Sequence, residues 1–228
     1  MTRTYGGTIP FRRRGALTPS PSIVVPVILI TIGLAALLAF RADLTRARGG
    51  KILAFIALFL LPSLALWAGF STQMEGSKTT RFCLSCHVMT AYGKSLHMDD
   101  TRYLAAAHFE NEEVPPDQAC YTCHTNYTMF GGFFDKWRGL RHVYMEYIGK
   151  VPEPEDIKLY HPFNNRECLH CHAHARAYLD NRDHLEKPDT LPLANANKLS
   201  CMASDCHDTV HNVRDQKNKD VQFWRETR

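Results

Sequence analysis

The sequence predicts a mainly α protein: an N-terminal transmembrane helical hairpin followed by a small domain with little regular structure beyond short helices. Three observations predict it. Residues 22–40 (SIVVPVILITIGLAALLAF) and 52–70 (ILAFIALFLLPSLALWAGF) carry no ionisable side chain. All eight cysteines lie after these runs, in four pairs that each end in histidine. Polar stretches such as 110–119 and 212–220 fill the rest, and no comparable apolar run returns.

Each apolar run has 19 residues. At a helical rise of about 1.5 Å per residue that is about 28 Å, close to the hydrocarbon thickness of about 30 Å. A secretory signal is the alternative for the first run, with Arg12, Arg13 and Arg14 as its basic flank, but the run is longer than a usual signal core. Burial inside a soluble domain is excluded because nothing else in the chain is large enough to wrap two such helices. The reading therefore divides the chain into an anchor (1–71, helices about 22–40 and 52–70), a second domain (72–211) and a polar tail (212–228). A formal charge of +4 with 22% charged residues says little about partners, and no nucleic-acid partner is expected.

The cysteine pairs are Cys83-Leu-Ser-Cys86-His87, Cys120-Tyr-Thr-Cys123-His124, Cys168-Leu-His-Cys171-His172 and Cys201-Met-Ala-Ser-Asp-Cys206-His207. The first three read C-x-x-C-H, the signature of c-type haem attachment. Both thiols bond to the haem vinyl groups and the next histidine reaches the iron. Structural zinc and disulfides are the competing uses of paired cysteines. Neither needs a histidine after every second cysteine, and with 12 histidines in 228 positions four coincidences have a chance on the order of 10⁻⁵. In the fourth motif two extra residues must bulge for both thiols to reach one porphyrin. Four covalently bound haem c groups are expected, and they would supply the core that the polar domain lacks. Crowded into so short a domain, neighbouring haems can pass electrons.

The motifs use four of the 12 histidines, leaving His97, His108, His142, His161, His170, His174, His184 and His211. That surplus favours six-coordinate, electron-transferring iron over an open catalytic haem. His211, four residues after His207, would be aimed back over the haem cluster by a helical turn. His97, His142 and His184 are the other expected second ligands. His170 and His174 sit within or beside a motif and read as neighbours of a haem or as surface. Phe130 to Lys150 reads as an amphipathic helix, with Phe130, Phe133, Phe134, Trp137, Leu140, Tyr144 and Ile148 on a stripe expected to pack. His142 lies off that stripe, solvated or turned toward a haem. Met89, two residues after His87, either competes with it for the first iron, raising its potential, or packs against the porphyrin.

The run from Gly69 to Glu75, with Arg81-Phe82-Cys83-Leu84-Ser85-Cys86-His87-Val88-Met89, three further motifs and a late Cys206-His207 to His211, resembles the NapC/NirT family of membrane-anchored tetrahaem quinol dehydrogenases, which includes the small subunit of cytochrome c nitrite reductase. The resemblance covers roughly residues 52–211. It implies oxidation of menaquinol or ubiquinol beside the first haem, with electrons handed to a periplasmic reductase. In the nitrite-reductase branch the methionine matching Met89 ligates the first haem, whose other side stays open near the quinol. The chain departs from the family pattern in its second apolar helix, in the spacing of the fourth motif and around His161 to His174.

Haem c is attached outside the cytoplasmic membrane, so the cysteine-rich domain is expected in the periplasm of a bacterium, with the anchor in its inner membrane. Arg41 to Lys51, with four basic residues and one acidic, would be the cytoplasmic loop. A quinol site needs a proton acceptor and hydrogen-bond donors near the first haem, and Lys94, His97, Asp99, Asp100 and Arg102 fall in the right segment. Lys94, Asp99 and Arg102 are the expected catalytic residues. The alternative function is an electron-conducting anchor subunit of a larger respiratory complex, which the second helix favours.

Overall fold

The computed structural model describes residues 21–159 and 163–218. Arg12 to Arg14, His161 and residues 219–228 of the expected tail lie outside them. Every regular element among the described residues is a helix, so the mainly α fold holds. The chain forms two compact units, one ending at Glu75 and the other beginning at Gly76.

The first unit is built from α1 (Pro21–Phe40), α2 (Arg48–Phe55), a π turn (Ile56–Leu60) and α3 (Leu61–Gly76). From Arg48 to Gly76 these run as one helix of 29 residues whose most apolar stretch has mean hydropathy 2.3, long and apolar enough to cross a membrane. It begins earlier and ends later than the apolar run, because Ser71 to Gly76 continue the same hydrogen-bonded helix. The apolar part of α1, Val24–Phe40, is shorter. Between the helices the chain reverses through a 3₁₀ turn (Ala42–Arg46). Gly50 is required there, since a Cβ would fall 1.6 Å from the Leu44 carbonyl oxygen. α1 and α3 border an apolar cleft lined by Val24, Ile28, Leu66 and Phe70. Phe59 and Trp67 are exposed, as side chains are where lipid is the solvent.

Among the described residues the second unit joins twelve short helical elements and one long helix around a small apolar cluster of Leu96, Val114 and Ala119, flanked by Ala105 and Phe109. α4 (Thr80–Cys83) and α7 (Ala119–Cys123) carry the first two motifs, and α9 (Asn165–His172) carries the third. α5 (Thr90–Ser95), α6 (Leu104–Glu110), α10 (Arg176–Leu179), α11 (Arg182–Glu186) and α12 (Thr190–Asn195) fill the intervals. α13 (Val213–Gln216) packs on α5 with Val213 and Gln216 buried, and Lys217 Nζ sits 2.6 Å from Glu153. These residues of the expected tail are thus folded into the unit.

α8 (Gly131–Tyr147) is the long helix of this unit. Its aromatic stripe does not pack as expected: Trp137 is 65% and Ile148 72% exposed. The opposite face makes the contacts. Asp135 Oδ2 accepts the Asn126 N–H at 2.6 Å, and Gly131 lies so close to the Asn126 carbonyl that any Cβ would clash.

Candidate haem-binding site

The motif segments come in two pairs. Thr80, three residues before Cys83, accepts the Ala119 N–H at 2.8 Å and so fixes the second motif beside the first. Asn165, three residues before Cys168, accepts the Cys201 N–H at 2.9 Å and ties the fourth motif to the third. Asn165 is fully buried, and its amide also donates to the carbonyls of Ala194 and Leu199. The leading cysteines meet within each pair. A thiol hydrogen bond from Cys120 lowers the Cys83 pKa to about 7 and pushes Cys120 up. Cys168 likewise lowers Cys201 to about 7 and is itself raised.

The fourth motif absorbs its two extra residues without losing closure. In the second motif the His124 N–H donates to the Cys120 carbonyl at 2.9 Å, and in the fourth the His207 N–H reaches the Cys201 carbonyl at 3.0 Å. The excess is taken up by a turn from Ala203 to Cys206, with Asp205 in the left-handed region at φ 69°. Asp tolerates that conformation better than most residues.

Three motif histidines each face a second imidazole. His124 and His211 are stacked with ring centres 6.5 Å apart. His172 meets His108 at 5.9 Å, and His207 meets His184 at 6.0 Å. A metal–imidazole bond of about 2.0–2.1 Å, with the ring centre about 1.1 Å behind the nitrogen, puts two axial rings about 6.3 Å apart. The partner rings are held as metal ligands usually are, through the other nitrogen. His108 Nδ1 donates to the Leu104 carbonyl at 2.8 Å, and His184 Nδ1 to the Tyr178 carbonyl at 2.9 Å. Ser95 Oγ already donates to the Tyr92 carbonyl, so it accepts from His211 Nδ1 at 2.8 Å. Nε2 is left as the ligating atom in all three. Burial and the neighbouring His124 lower the His211 pKa to about 4, keeping it in the neutral form a metal requires. Among the described residues no group of three or more His, Cys, Asp or Glu could hold a bare metal ion. The residues present fit haem c.

The first motif is finished differently. His87 and Met89 share one 3₁₀ turn, whose rotation of about 120° per residue points the two side chains apart. The His87 side chain is 76% exposed, and its Nδ1 lies 3.4 Å from the Glu146 carboxylate of α8, while Met89 is half-buried.

A sequence profile of the NapC/NirT cytochrome c family, N-terminal region, matches residues 46–216. The chain belongs to this family. It is 24% identical over 121 residues to the cytochrome c-type protein NapC of Escherichia coli strain K12, covering 48% of this chain and 57% of the relative. NapC of Haemophilus influenzae is 25% identical over 129 residues, 51% and 60% of the two chains. The chain thus spans less than two thirds of these two relatives. The denitrification system component NirT of Stutzerimonas stutzeri is 24% identical over 187 residues, 77% of this chain and 86% of the relative. No solved structure matches. Membership makes the chain a c-type cytochrome, a class that holds haem c covalently.

The other expected residues are placed as follows. The segment from His207 to His211 is not helical, so it is not a helical turn that brings His211 back over the motifs, where it faces His124. His108, not among the ligands expected from sequence, takes the place opposite His172. His97 lies with Nδ1 3.5 Å from Glu110 and its ring edge-on to Phe109. His142 is close enough to His124 to lower its pKa further, after burial. His170 stacks flat on Tyr127 at 3.7 Å. Lys94 Nζ points at the Lys217 carbonyl, 3.5 Å away. Arg102 grips Asp100 through Nε and Nη2 at 3.0 and 2.7 Å, and Asp99 is exposed next to that pair.

Proposed function

We propose that the chain is a tetrahaem c-type cytochrome of a bacterial inner membrane that takes electrons from membrane quinol and passes them along its haems to a periplasmic redox partner. The observation that carries this reading is the set of three imidazole pairs at axial spacing, one for each motif but the first. Closed, six-coordinate iron suits electron transfer. Cys83 and Cys86, Cys120 and Cys123, Cys168 and Cys171, and Cys201 and Cys206 hold the four groups. His124 with His211, His172 with His108, and His207 with His184 would supply imidazole nitrogens to three of them. Bound haem supplies a one-electron iron couple whose potential follows its ligands.

The first motif is the entry point because it alone follows the membrane helix directly. There Met89 is the ligand, and Glu146 holds the His87 imidazole aside. Lys94, Asp99 and Arg102 form the quinol end of the site: Lys94 and Arg102 donate to the quinone oxygens, and Asp99 accepts a proton. Quinol oxidation releases two protons with two electrons, so acceptors are needed at that point.

The test is anaerobic reduction of the purified, haem-loaded chain in detergent by a short-chain menaquinol, followed by haem absorbance. Reduction without any partner protein is expected, slowed at least about tenfold in Lys94→Ala and Arg102→Ala, as for loss of an acid–base or orienting group. A chain reduced by dithionite but not by quinol would overturn the reading in favour of a conducting subunit.

A further inference from the structure

We propose that α8 is a second membrane contact, lying in the headgroup layer next to the haem-binding unit with its aromatic stripe turned into an anionic lipid surface. This rests on the membrane anchoring by Arg48–Gly76 and is independent of quinol oxidation.

The stripe is Phe130, Phe134, Trp137, Leu140, Tyr144 and Ile148, and all six side chains are exposed. At about 100° per residue, Asp135 and Glu146 lie on one face, roughly 160° around the helix from the centre of the stripe. Those two acids face the protein, toward Asn126 and His87. The helix is therefore apolar outside and acidic inside, the reverse of a helix that covers a soluble core. Lys136 also faces the protein, and the charges that remain are Arg138 and Arg141, with Lys150 just beyond. Aromatic and leucine side chains on one face with basic residues along it make an interfacial helix that favours anionic lipid.

Depth is set within the haem-binding unit. Lys136 Nζ donates to the Ser77 carbonyl and lies over the rings of Tyr121 and Phe82, 4.9 and 5.7 Å from their centres. Ser77 follows Gly76, the last residue of the membrane helix. Six residues separate the end of the apolar run at Phe70 from Gly76, about 9 Å of helix. A headgroup layer is about 5–7.5 Å thick, so Gly76 sits at its outer edge. The helix fastened to Ser77 is thus held where Trp and Tyr side chains prefer to sit.

Photo-crosslinking of the full, haem-loaded chain tests this. A benzophenone amino acid is placed singly at positions 134, 137, 59 and 185, in native membranes and in phosphatidylethanolamine–phosphatidylglycerol vesicles. Position 59 reports the membrane helix, and 185 is an exposed leucine on α11. Lipid adducts are expected at 59, 134 and 137, at least about tenfold above 185, as for a helix whose apolar face is in the bilayer. Lipid adducts at 59 alone would overturn the proposal and leave the anchoring intact. Peptide adducts at 134 and 137 in native membranes would give the surface to a protein partner instead. No lipid adduct at 59 would remove the anchoring and the proposal with it.

Discussion

Thr80 and Asn165 occupy the same place in the two halves of the haem-binding unit, three residues before the leading cysteine of motifs one and three. Each uses a side-chain oxygen to capture a backbone N–H at the start of the following motif. Each half also brings its two leading thiols into contact. The halves differ in what faces the histidines. In the second half both motif histidines meet a second imidazole, whereas in the first half only His124 does, and His87 meets Glu146. A duplicated scaffold thus carries three equivalent sites and one exception. The exception belongs to the motif that follows the long apolar helix most closely in the chain, where the proposed function puts the entry of electrons.

Removing a thiol should break the equivalence most severely. Cys206→Ser is expected to reduce the four covalent haem additions seen by mass spectrometry of the unfolded chain to three, since the closure between His207 and Cys201 makes the fourth motif a working site despite its length. Three additions in the unaltered chain would mean that motif is not used. Next in size, His108→Ala should turn one haem from low-spin to high-spin in the electronic spectrum, while His97→Ala leaves the spin states of the unaltered chain as they are; the reverse result would move the ligand assignment to His97.

The two half-scaffolds can be compared by stability. Asn165→Ala strands the Cys201 N–H and two carbonyls in a buried site, and is expected to cost about 3 kcal/mol. Thr80→Val strands one N–H and should cost about 1 kcal/mol. Thermal unfolding of both variants reads the difference, and equal losses would contradict the idea that the second half depends more heavily on its polar clamp. Smaller still, Met89→His should lower the potential of the first haem by exchanging a thioether for imidazole, with the other three unchanged. Four unmoved potentials in a redox titration would reduce Met89 to a packing residue.

The anchor and the attachment motifs were legible in the sequence because each is set by local chemistry. Lipid selects uncharged runs, and two vinyl bonds plus an iron bond fix the spacing of Cys, Cys and His. The partners of the motif histidines were only partly legible. The sequence points to His184 and His211, which do face motif histidines, but it points to His211 through a helical turn that the chain does not make. Its true neighbour, His124, lies in another element and is reached through Ser95 and the packing of α13 on α5. Nothing local distinguishes His108, in an alanine-rich helix, from a surface histidine; its hydrogen bond to Leu104 and its position over His172 exist only in the fold. The helix of α8 was legible from its period, but not its direction. Periodicity locates an apolar face without saying whether protein, haem or lipid covers it.

The central claim is that one site of four is ligated differently. Near-infrared magnetic circular dichroism of the oxidised full chain distinguishes bis-imidazole from thioether ligation in a single spectrum. Three bis-imidazole haems and one thioether-ligated haem are predicted, with the thioether signal lost in Met89→His. Four bis-imidazole haems in the unaltered chain would contradict it.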